Sequence, residues 1–241
     1  MIASHTRQRR KEARPKELLD AALDVFVRKG FAATRTDEVA ARAGVSKGTL
    51  YLYYPSKEEL LKAVIRERLS SAIAASADEV ARHGGSAAEL LRGSMVRWWR
   101  SIFDSPASGV FKLIITEVRN FPEIADFYYR EVVEPGHRLI GDVLRRGIAS
   151  GEFRPVDVDA TVYSLVLPMV MLCLHKHSLA ACPHAETAPG CASRVPVLDP
   201  QHFIAQHFQL VLRGLLADSA SAHAAPEKPA AAARRARREA A

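Results

Sequence analysis

The stretch TDEVAARAGVSKGTLYLYYP, residues 36–55, decides the fold at the front of this 241-residue chain. Apolar residues recur three and four positions apart on both sides of Gly44, which predicts two short helices joined by a tight turn. Gly44 can adopt a positive φ in that turn, and Ala40 is small enough for a close helix approach. The positions that would hold the helices together are Val39, Ala40, Ala43, Val45 and Leu50. This spacing is typical of a helix-turn-helix, although a chance pair of short helices can share it.

The second of these helices carries residues suited to reading DNA. Its N-terminal end can enter a major groove, where Lys47 can reach a guanine edge and Thr49 a base or a thymine methyl group. Gly48 would let the backbone come close to the DNA. The outward residues of this helix are Ser46, Lys47, Gly48, Thr49, Leu52 and Tyr53.

Groups suited to phosphate surround this helix, and they would set position rather than sequence. We expect phosphate contacts from Arg35, Thr36, Tyr51, Tyr53 and Lys57. Core packing is the competing interpretation for the rings of Tyr51 and Tyr54, and a solvated helix face is the alternative for Arg42.

The charge distribution agrees with a nucleic-acid partner. Residues 1–57 hold 12 Lys and Arg against 6 Asp and Glu, and residues 226–241 hold 5 against 2. The middle of the chain holds 17 against 19. Because counterion release rewards cations placed along phosphates, a basic end joined to a nearly neutral body suggests that one end meets a polyanion, and nucleic acid is the first partner to expect.

Composition excludes several other classes of protein. Hydrophobic residues at 48% and charged residues at 25% are typical of a folded protein. The longest apolar run, residues 162–174, is shorter than the roughly 20 residues of a bilayer span and contains Pro168, which predicts a buried core helix and no membrane span. The first residues lack the apolar stretch of a secretory signal, and three scattered cysteines make no disulfide framework. We therefore expect a cytoplasmic protein.

Helical periodicity dominates the rest of the sequence and predicts an all-α fold of about nine helices without a sheet. The first helix should run over 15–29 and end at Gly30. Ser46, Ser56, Ser86 and Asp199 have the spacing of helix caps, and Thr36 is expected to cap the second helix. Further helices are predicted over 108–120, 122–149 with a kink at Pro135 and Gly136, 157–177, and from Pro200 onward.

These elements suggest a division of the chain into four parts. The predicted parts are a basic flexible arm (1–13), a helix-turn-helix DNA-binding domain (14–57), a helical ligand-binding and dimerisation domain (58–218) and a disordered tail rich in Ala and Arg (219–241). A long connection with several prolines separates the last two helices.

The sequence resembles the TetR family of bacterial transcriptional regulators. The likeness rests on AALDVFVRKGF at 21–31, on Thr36, and on VAARAGVSKGTLYLYYPSKEELL at 39–61. It implies a homodimeric repressor that binds a palindromic operator and is released by a small-molecule effector. Leu52 and Tyr54 depart from the residues usual in the family. The change at Leu52 leaves the operator sequence open, whereas Tyr54 in place of the usual phenylalanine is expected to be harmless. The stretch 117–153 is also similar to the C-terminal domains of AcrR-like members.

An effector site in the body would need an apolar pocket, and several aromatic and Met residues have the required character. The candidates are Met95, Trp98, Trp99, Phe103, Phe111, Phe127, Tyr128 and Met171. Adjacent Trp98 and Trp99 point about 100° apart on a helix, so one of them is expected to line a cavity. Polar specificity can come from Arg97, Glu117, Arg119 and His137, although surface ion pairs explain these residues equally well.

The last helix carries an apolar seam suited to dimerisation. Its residues, Ile204, Phe208, Val211 and Leu215, are spaced four, three and four apart, which favours packing on a helix of a second copy. The alternative is that this seam packs on the core of its own chain.

A metal- or thiol-responsive regulator is the alternative function. Imidazole and sulfur ligands suit zinc or copper, and five candidates fall within residues 175–191: His175, His177, Cys182, His184 and Cys191. Their spacing matches no standard metal motif. The sequence also lacks the nucleophile elbow, phosphate loops and metalloprotease helix of common enzymes, so we expect neither catalysis nor a cofactor.

Overall fold

The computed structural model describes residues 2–181 and 198–217, with side chains from Pro15 onward, and these residues form nine continuous helices. The helices are α1 (Ile2–Lys29), α2 (Thr36–Arg42), α3 (Lys47–Tyr53), α4 (57–82), α5 (87–104), α6 (Ser108–Glu117), α7 (122–149), α8 (Val158–His177) and α9 (Pro200–Leu215). Helices α4, α5 and α7 each contain one π-helical segment: Arg66–Ser70, Leu90–Met95 and Tyr129–Val133. A single antiparallel bridge joins Phe153 to Leu216, so the expectation of an all-α fold is confirmed.

Most helix ends follow the capping residues. The side chain of Ser46 accepts from the Thr49 amide at the start of α3, and Asp199 accepts from two amides at the start of α9. Ser86 and Glu89 form the complete reciprocal capping box that begins α5. Gly30 and Gly44 have φ values of 85° and 66°, which allow the chain to leave α1 and to turn between α2 and α3.

Three predicted boundaries differ from the structure. Helix α1 begins at Ile2 rather than near Pro15, so residues 2–13 continue the helix instead of forming a separate arm; the segment consists largely of good helix formers such as Arg, Lys, Gln and Ala. Arg35, not Thr36, occupies the N-cap of α2. Helix α6 ends at Glu117, three residues early.

A π-helical segment lies next to the position of the kink predicted in α7. Residues Tyr129–Val133 widen the helix just before Pro135. A proline ring clashes with the carbonyl one turn earlier and leaves it without a donor, and a local widening of the helix relieves that clash.

One core runs through both halves of the molecule. Leu18, Phe26, Val39 and Leu50 hold the first three helices together and are fully buried. Helix α4 packs on α1, while α6 packs on both α1 and α8. Helix α6 therefore connects the helix-turn-helix to the body.

Helix α8 is buried on one face only. Val162, Leu165, Met169, Leu172 and Cys173 are buried, whereas Tyr163, Leu167 and Met171 are exposed. The expectation of a fully buried core helix is therefore wrong for half of its surface. By length and composition alone, Val158–Ala181 is apolar enough to cross a membrane, although its inner face packs on α6, α7 and α9.

Candidate DNA-binding surface and effector cavity

Helix α3 is fixed on α2 by its inner face and by its N-terminus. Leu50, on the inner face of α3, is completely buried. The Ser46 Oγ accepts from the Thr49 amide at 3.1 Å and lies 2.9 Å from the Thr49 hydroxyl. In the turn, the Val45 amide donates to the Ala40 carbonyl at 2.9 Å. These contacts fix the orientation of α3 and leave the side chains of its outer face free.

The outer face of α3 is open to solvent. Lys47 and Gly48 are exposed, and Leu52 is 85% exposed. The Lys47 ammonium lies 5.8 Å from the centre of the Tyr51 ring. A Cβ added at Gly48 would meet only the Ser46 Oγ, at an ordinary 3.8 Å. Packing within the protein therefore does not require a glycine at this position.

Two of the predicted phosphate contacts lie side by side next to this face. The Thr36 Oγ1 and the Tyr51 Oη are 2.9 Å apart, and Tyr51 is 39% exposed. Arg35 lies beside them in a two-point hydrogen bond to Asp37, at 3.1 and 2.8 Å, which lowers the pKa of the Asp37 carboxyl. A phosphate would compete with Asp37 for the Arg35 guanidinium.

Other predicted members of this surface have structural contacts. The Lys57 ammonium donates to the carbonyls of Phe31, Ala32 and Thr34 at 2.9, 3.2 and 3.1 Å and lies over the Phe31 ring. Lys57 therefore stabilises the turn between α1 and α2, and its contact with phosphate stays a prediction. Tyr53 is half-buried against the core, as is Tyr54.

A cavity of about 340 Å³ lies in the body, between α4, α5, α6, α7 and α8. Its walls are almost entirely apolar. Five of the eight predicted ligand contacts line it: Met95, Trp98, Trp99, Phe111 and Tyr128. Both tryptophans take part, with their rings edge to face at 4.8 Å, although only one was expected to do so.

The other three predicted contacts lie elsewhere. Phe103 is buried beneath the Lys176 ammonium, 4.6 Å from the ring centre. Phe127 packs beneath the Arg66 guanidinium at the same distance. Met171 points outward and is 63% exposed. Residue type alone did not separate these positions from the cavity wall.

Polar groups at the cavity are few and mostly paired. Glu79 accepts from the Ser94 hydroxyl at 2.6 Å and from Arg97 at 2.9 Å, and the bond from Ser94 lowers the pKa of Glu79. His137, one of the predicted polar residues, also lines the cavity and lies 3.5 Å from Asp159. Arg97 and Arg119 are not wall residues.

The indole nitrogens of the cavity wall are unpaired. Neither the Trp98 Nε1 nor the Trp99 Nε1 has a hydrogen-bond partner among the described residues, and both atoms are buried. A buried donor without a partner costs about 1–3 kcal/mol.

On α8, sequence reasoning named only Met171 and missed the residues that line the cavity. Tyr163, Val166, Leu167 and Val170 all line it. The signal available in the sequence was the absence of any charged residue over 160–175, which we interpreted as core.

The apolar seam predicted for dimerisation faces inward. Ile204, Phe208 and Leu215 are buried within the chain and Val211 is half-buried, because α9 packs on α5 and α8 with this side. The exposed leucine of α9 is Leu210, on another face. The structure therefore favours the alternative that this seam belongs to the chain's own core.

The described part of the proposed metal cluster contains no metal-type group of three or more side chains. The His177 Nε2 lies 2.8 Å from the Ser108 hydroxyl, and burial lowers the pKa of its ring. Cys182, His184 and Cys191 lie outside the described residues. Burial also raises the pKa of the Cys173 thiol to about 12, which makes it unreactive. These findings do not favour a metal- or thiol-responsive regulator.

Comparison with known proteins supports the resemblance seen in the sequence. Residues 18–64 match the family described as bacterial regulatory proteins, tetR family, and residues 81–181 match the tetracyclin repressor-like C-terminal domain. The chain is 32% identical over 163 residues to the uncharacterized HTH-type transcriptional regulator YfiR of Bacillus subtilis, covering 66% of this chain and 77% of YfiR.

Solved structures share the fold along most of the chain. The ketosteroid transcriptional regulator KstR2 of Mycobacterium tuberculosis has a TM-score of 0.62 at 23% identity, covering 85% of this chain and 96% of KstR2. FadR of Bacillus subtilis, solved in complex with stearoyl-CoA, has a TM-score of 0.64 at 18% identity, covering 83% and 98%. Together with the match to YfiR, these findings show that the chain belongs to the TetR family of helix-turn-helix transcriptional regulators.

Proposed function

We propose that this regulator is a homodimeric repressor that binds a palindromic operator through α3 and is released by a mainly apolar effector. The observation that carries the proposal is the outer face of α3, where Gly48 and Leu52 are exposed and Lys47, also exposed, lies near only the ring of Tyr51. A glycine inside a helix costs about 1 kcal/mol relative to alanine. Close approach to DNA would give this glycine a purpose.

Base and phosphate contacts divide along this surface. Lys47 and Thr49 are the proposed base readers at the N-terminal end of α3. The paired hydroxyls of Thr36 and Tyr51, with Arg35 beside them, are the proposed phosphate contacts. Two such surfaces about 34 Å apart would fit successive major grooves, which requires two copies of the chain.

An outer apolar face supports dimerisation. We use this name for Ile115, Tyr163, Leu167, Met171 and Leu210, on the neighbouring helices α6, α8 and α9. Each is at least half exposed, and a side chain of this size has about 200 Å² of surface. The face therefore exposes roughly 500 Å² of apolar area, which matches the apolar share of about 800 Å² that each partner buries in a standard interface.

The cavity is the proposed effector site. Its apolar walls favour a mainly hydrocarbon ligand. One structural relative is named a ketosteroid regulator and another was solved with stearoyl-CoA, and both point to effectors of the same large apolar kind. Helix α6 would transmit binding, because Phe111 and Ile114 line the cavity while Glu117 contacts the DNA-binding domain.

Binding to the DNA upstream of the protein's own gene tests this function. We expect Lys47→Ala and Tyr51→Phe each to weaken binding about 10-fold or more, since a specific base or phosphate contact is worth about 1–3 kcal/mol. Fluorescence anisotropy at several salt concentrations measures the affinity, which should fall steeply with salt.

The matched control is Arg145→Ala, which removes one positive charge from α7, where Arg145 pairs with Asp142. It should bind operator as the wild type does. Equal losses in the Lys47 and Arg145 variants would show that net charge, not the α3 surface, determines binding.

A further inference from the structure

Three members of the outer apolar face are also walls of the cavity. Ile115, Tyr163 and Leu167 line it, yet they are 51%, 50% and 57% exposed. The deeper walls, such as Trp99 and Val162, are buried. The cavity therefore has an open side, and apolar side chains from α6 and α8 form its rim.

The same side of α8 continues beyond the cavity. Leu167 is followed one turn later by Met171, which is equally exposed but does not line the cavity. No charged residue occurs between Ala160 and His175, so this stretch of helix has no ionised side chain to oppose its burial by a partner. The rim of the cavity and the proposed dimer contact thus share one helix face.

We propose that a second copy of the chain, seated on this face, closes the open side of the cavity, so that the effector site is complete only in the dimer. This inference rests on the dimer of the proposed function and adds that the partner forms part of the ligand site. Seating the partner there would bury Tyr163 and Leu167 at their outer side while leaving their inner side to the ligand.

Closure has a thermodynamic consequence. A ligand in a cavity open on one side leaves part of its apolar surface in water, and covering that surface adds about 25 cal/mol for each Å². By linkage, whatever the dimer adds to ligand affinity the ligand adds to dimer affinity. The dimer would then be tighter with ligand than without it.

The test uses the full-length protein and the fluorescent apolar probe N-phenyl-1-naphthylamine. Met171→Glu and Leu210→Glu each place a charge on the outer apolar face at a residue that does not line the cavity. We expect both variants to sediment as monomers and to bind the probe at least 10-fold more weakly than the wild-type dimer. Tyr129→Glu, a change at another exposed position outside the cavity wall and the outer apolar face, should remain dimeric and bind the probe normally.

A second measurement needs no substitution. Dilution of the wild type below its dimer dissociation constant should weaken probe binding by the same factor, which guards against variants that fail to fold. Monomers that bind the probe as tightly as the dimer would overturn the inference. So would a dimer that survives both substitutions, or adsorption of the wild type to phosphatidylcholine vesicles through α8.

Operator binding is measured separately, so the two proposals fail in different ways. A wild type that dimerises and loses the probe on dilution, yet ignores the DNA, would contradict the proposed repressor and leave the composite site in place. A wild-type dimer that binds operator but not the probe would overturn the inference alone.

Discussion

At the scale of single residues, Lys57 shows how far the type of a residue predicts its contacts. A lysine after the recognition helix is typical of a phosphate contact, and the sequence predicted one. In the structure, the turn that follows α1 directs three carbonyl oxygens toward the Lys57 ammonium. The sequence shows that a lysine lies near the DNA-binding face. It does not show what the Lys57 ammonium binds, because the directions of the backbone carbonyls in the turn cannot be inferred from a pattern of side chains.

Gly48 gives the sharpest test at this scale. Because a Cβ there meets only an ordinary contact, we expect Gly48→Ala to raise the free energy of unfolding by about 0.5–1 kcal/mol, as alanine is the better helix former. The same methyl group would stand between α3 and the DNA, so operator affinity should fall 10-fold or more. Chemical denaturation and anisotropy measure the two effects.

Gly44→Ala is the matched control, and its expected effect on the free energy of unfolding has the opposite sign. Its φ of 66° strains any other residue, so the protein should lose about 1 kcal/mol of stability. A Gly48→Ala protein that binds operator as tightly as the wild type would remove the main support for DNA contact at this helix.

At the scale of elements, the start of α5 is held by two separate residues. Ser86 and Glu89 close the capping box, while Glu152, in the connection between α7 and α8, accepts from the amides of Ala87 and Ala88 at 2.8 and 2.9 Å. The helix that carries Met95, Trp98 and Trp99 is therefore anchored by a carboxylate that lies 64 residues after Ala88 in the chain. This negative charge also suits the helix dipole.

We expect Glu152→Ala to lower the free energy of unfolding by about 2 kcal/mol, since hydrogen bonds to a charged group are worth about 1.5–3 kcal/mol. Glu152→Gln keeps one acceptor oxygen and should lose about half as much. Urea denaturation at a fixed protein concentration measures both. A fall no larger than that of Glu123→Ala, an exposed glutamate on α7, would contradict the anchor.

Elements were predicted well from the sequence, but their orientation was not. Periodicity and caps predicted the nine helices, and the ends marked by Ser46, Ser86 and Asp199 were confirmed. Periodicity and caps did not predict which side of α8 or α9 faces the core. An apolar stripe has the same spacing whether it packs on its own chain or on another molecule, and α9 uses Ile204 and Phe208 for the former.

At the scale of the whole molecule, α6 joins the two halves. The buried Glu117 carboxylate accepts from the Phe31 amide at 3.1 Å, and the Phe31 ring meets Phe121 edge to face at 4.8 Å. Two residues before Glu117, Ile115 lines the cavity. A ligand that shifted α6 would therefore act on the turn that follows α1 and leads into α2. The sequence predicted both halves, but the packing of α4 and α6 on α1 shows how they are connected.

Glu117→Ala should interrupt this connection. The Phe31 amide would lose its partner, at a cost of about 1–3 kcal/mol, and amide hydrogen exchange at Phe31 should accelerate at least 10-fold. We further expect that a compound which releases operator from the wild type leaves this variant bound. Glu117→Gln retains the acceptor oxygen and should respond as the wild type does; an Ala variant that still releases DNA would exclude Glu117 from the signal path.

The position of the tryptophans has a practical consequence. The chain has two of them, and both stand in the wall of the cavity. Ultraviolet emission excited at the indole band therefore arises from this one location. If the cavity binds the proposed effector, titrations can be followed by quenching or a spectral shift of the two indoles without any attached dye.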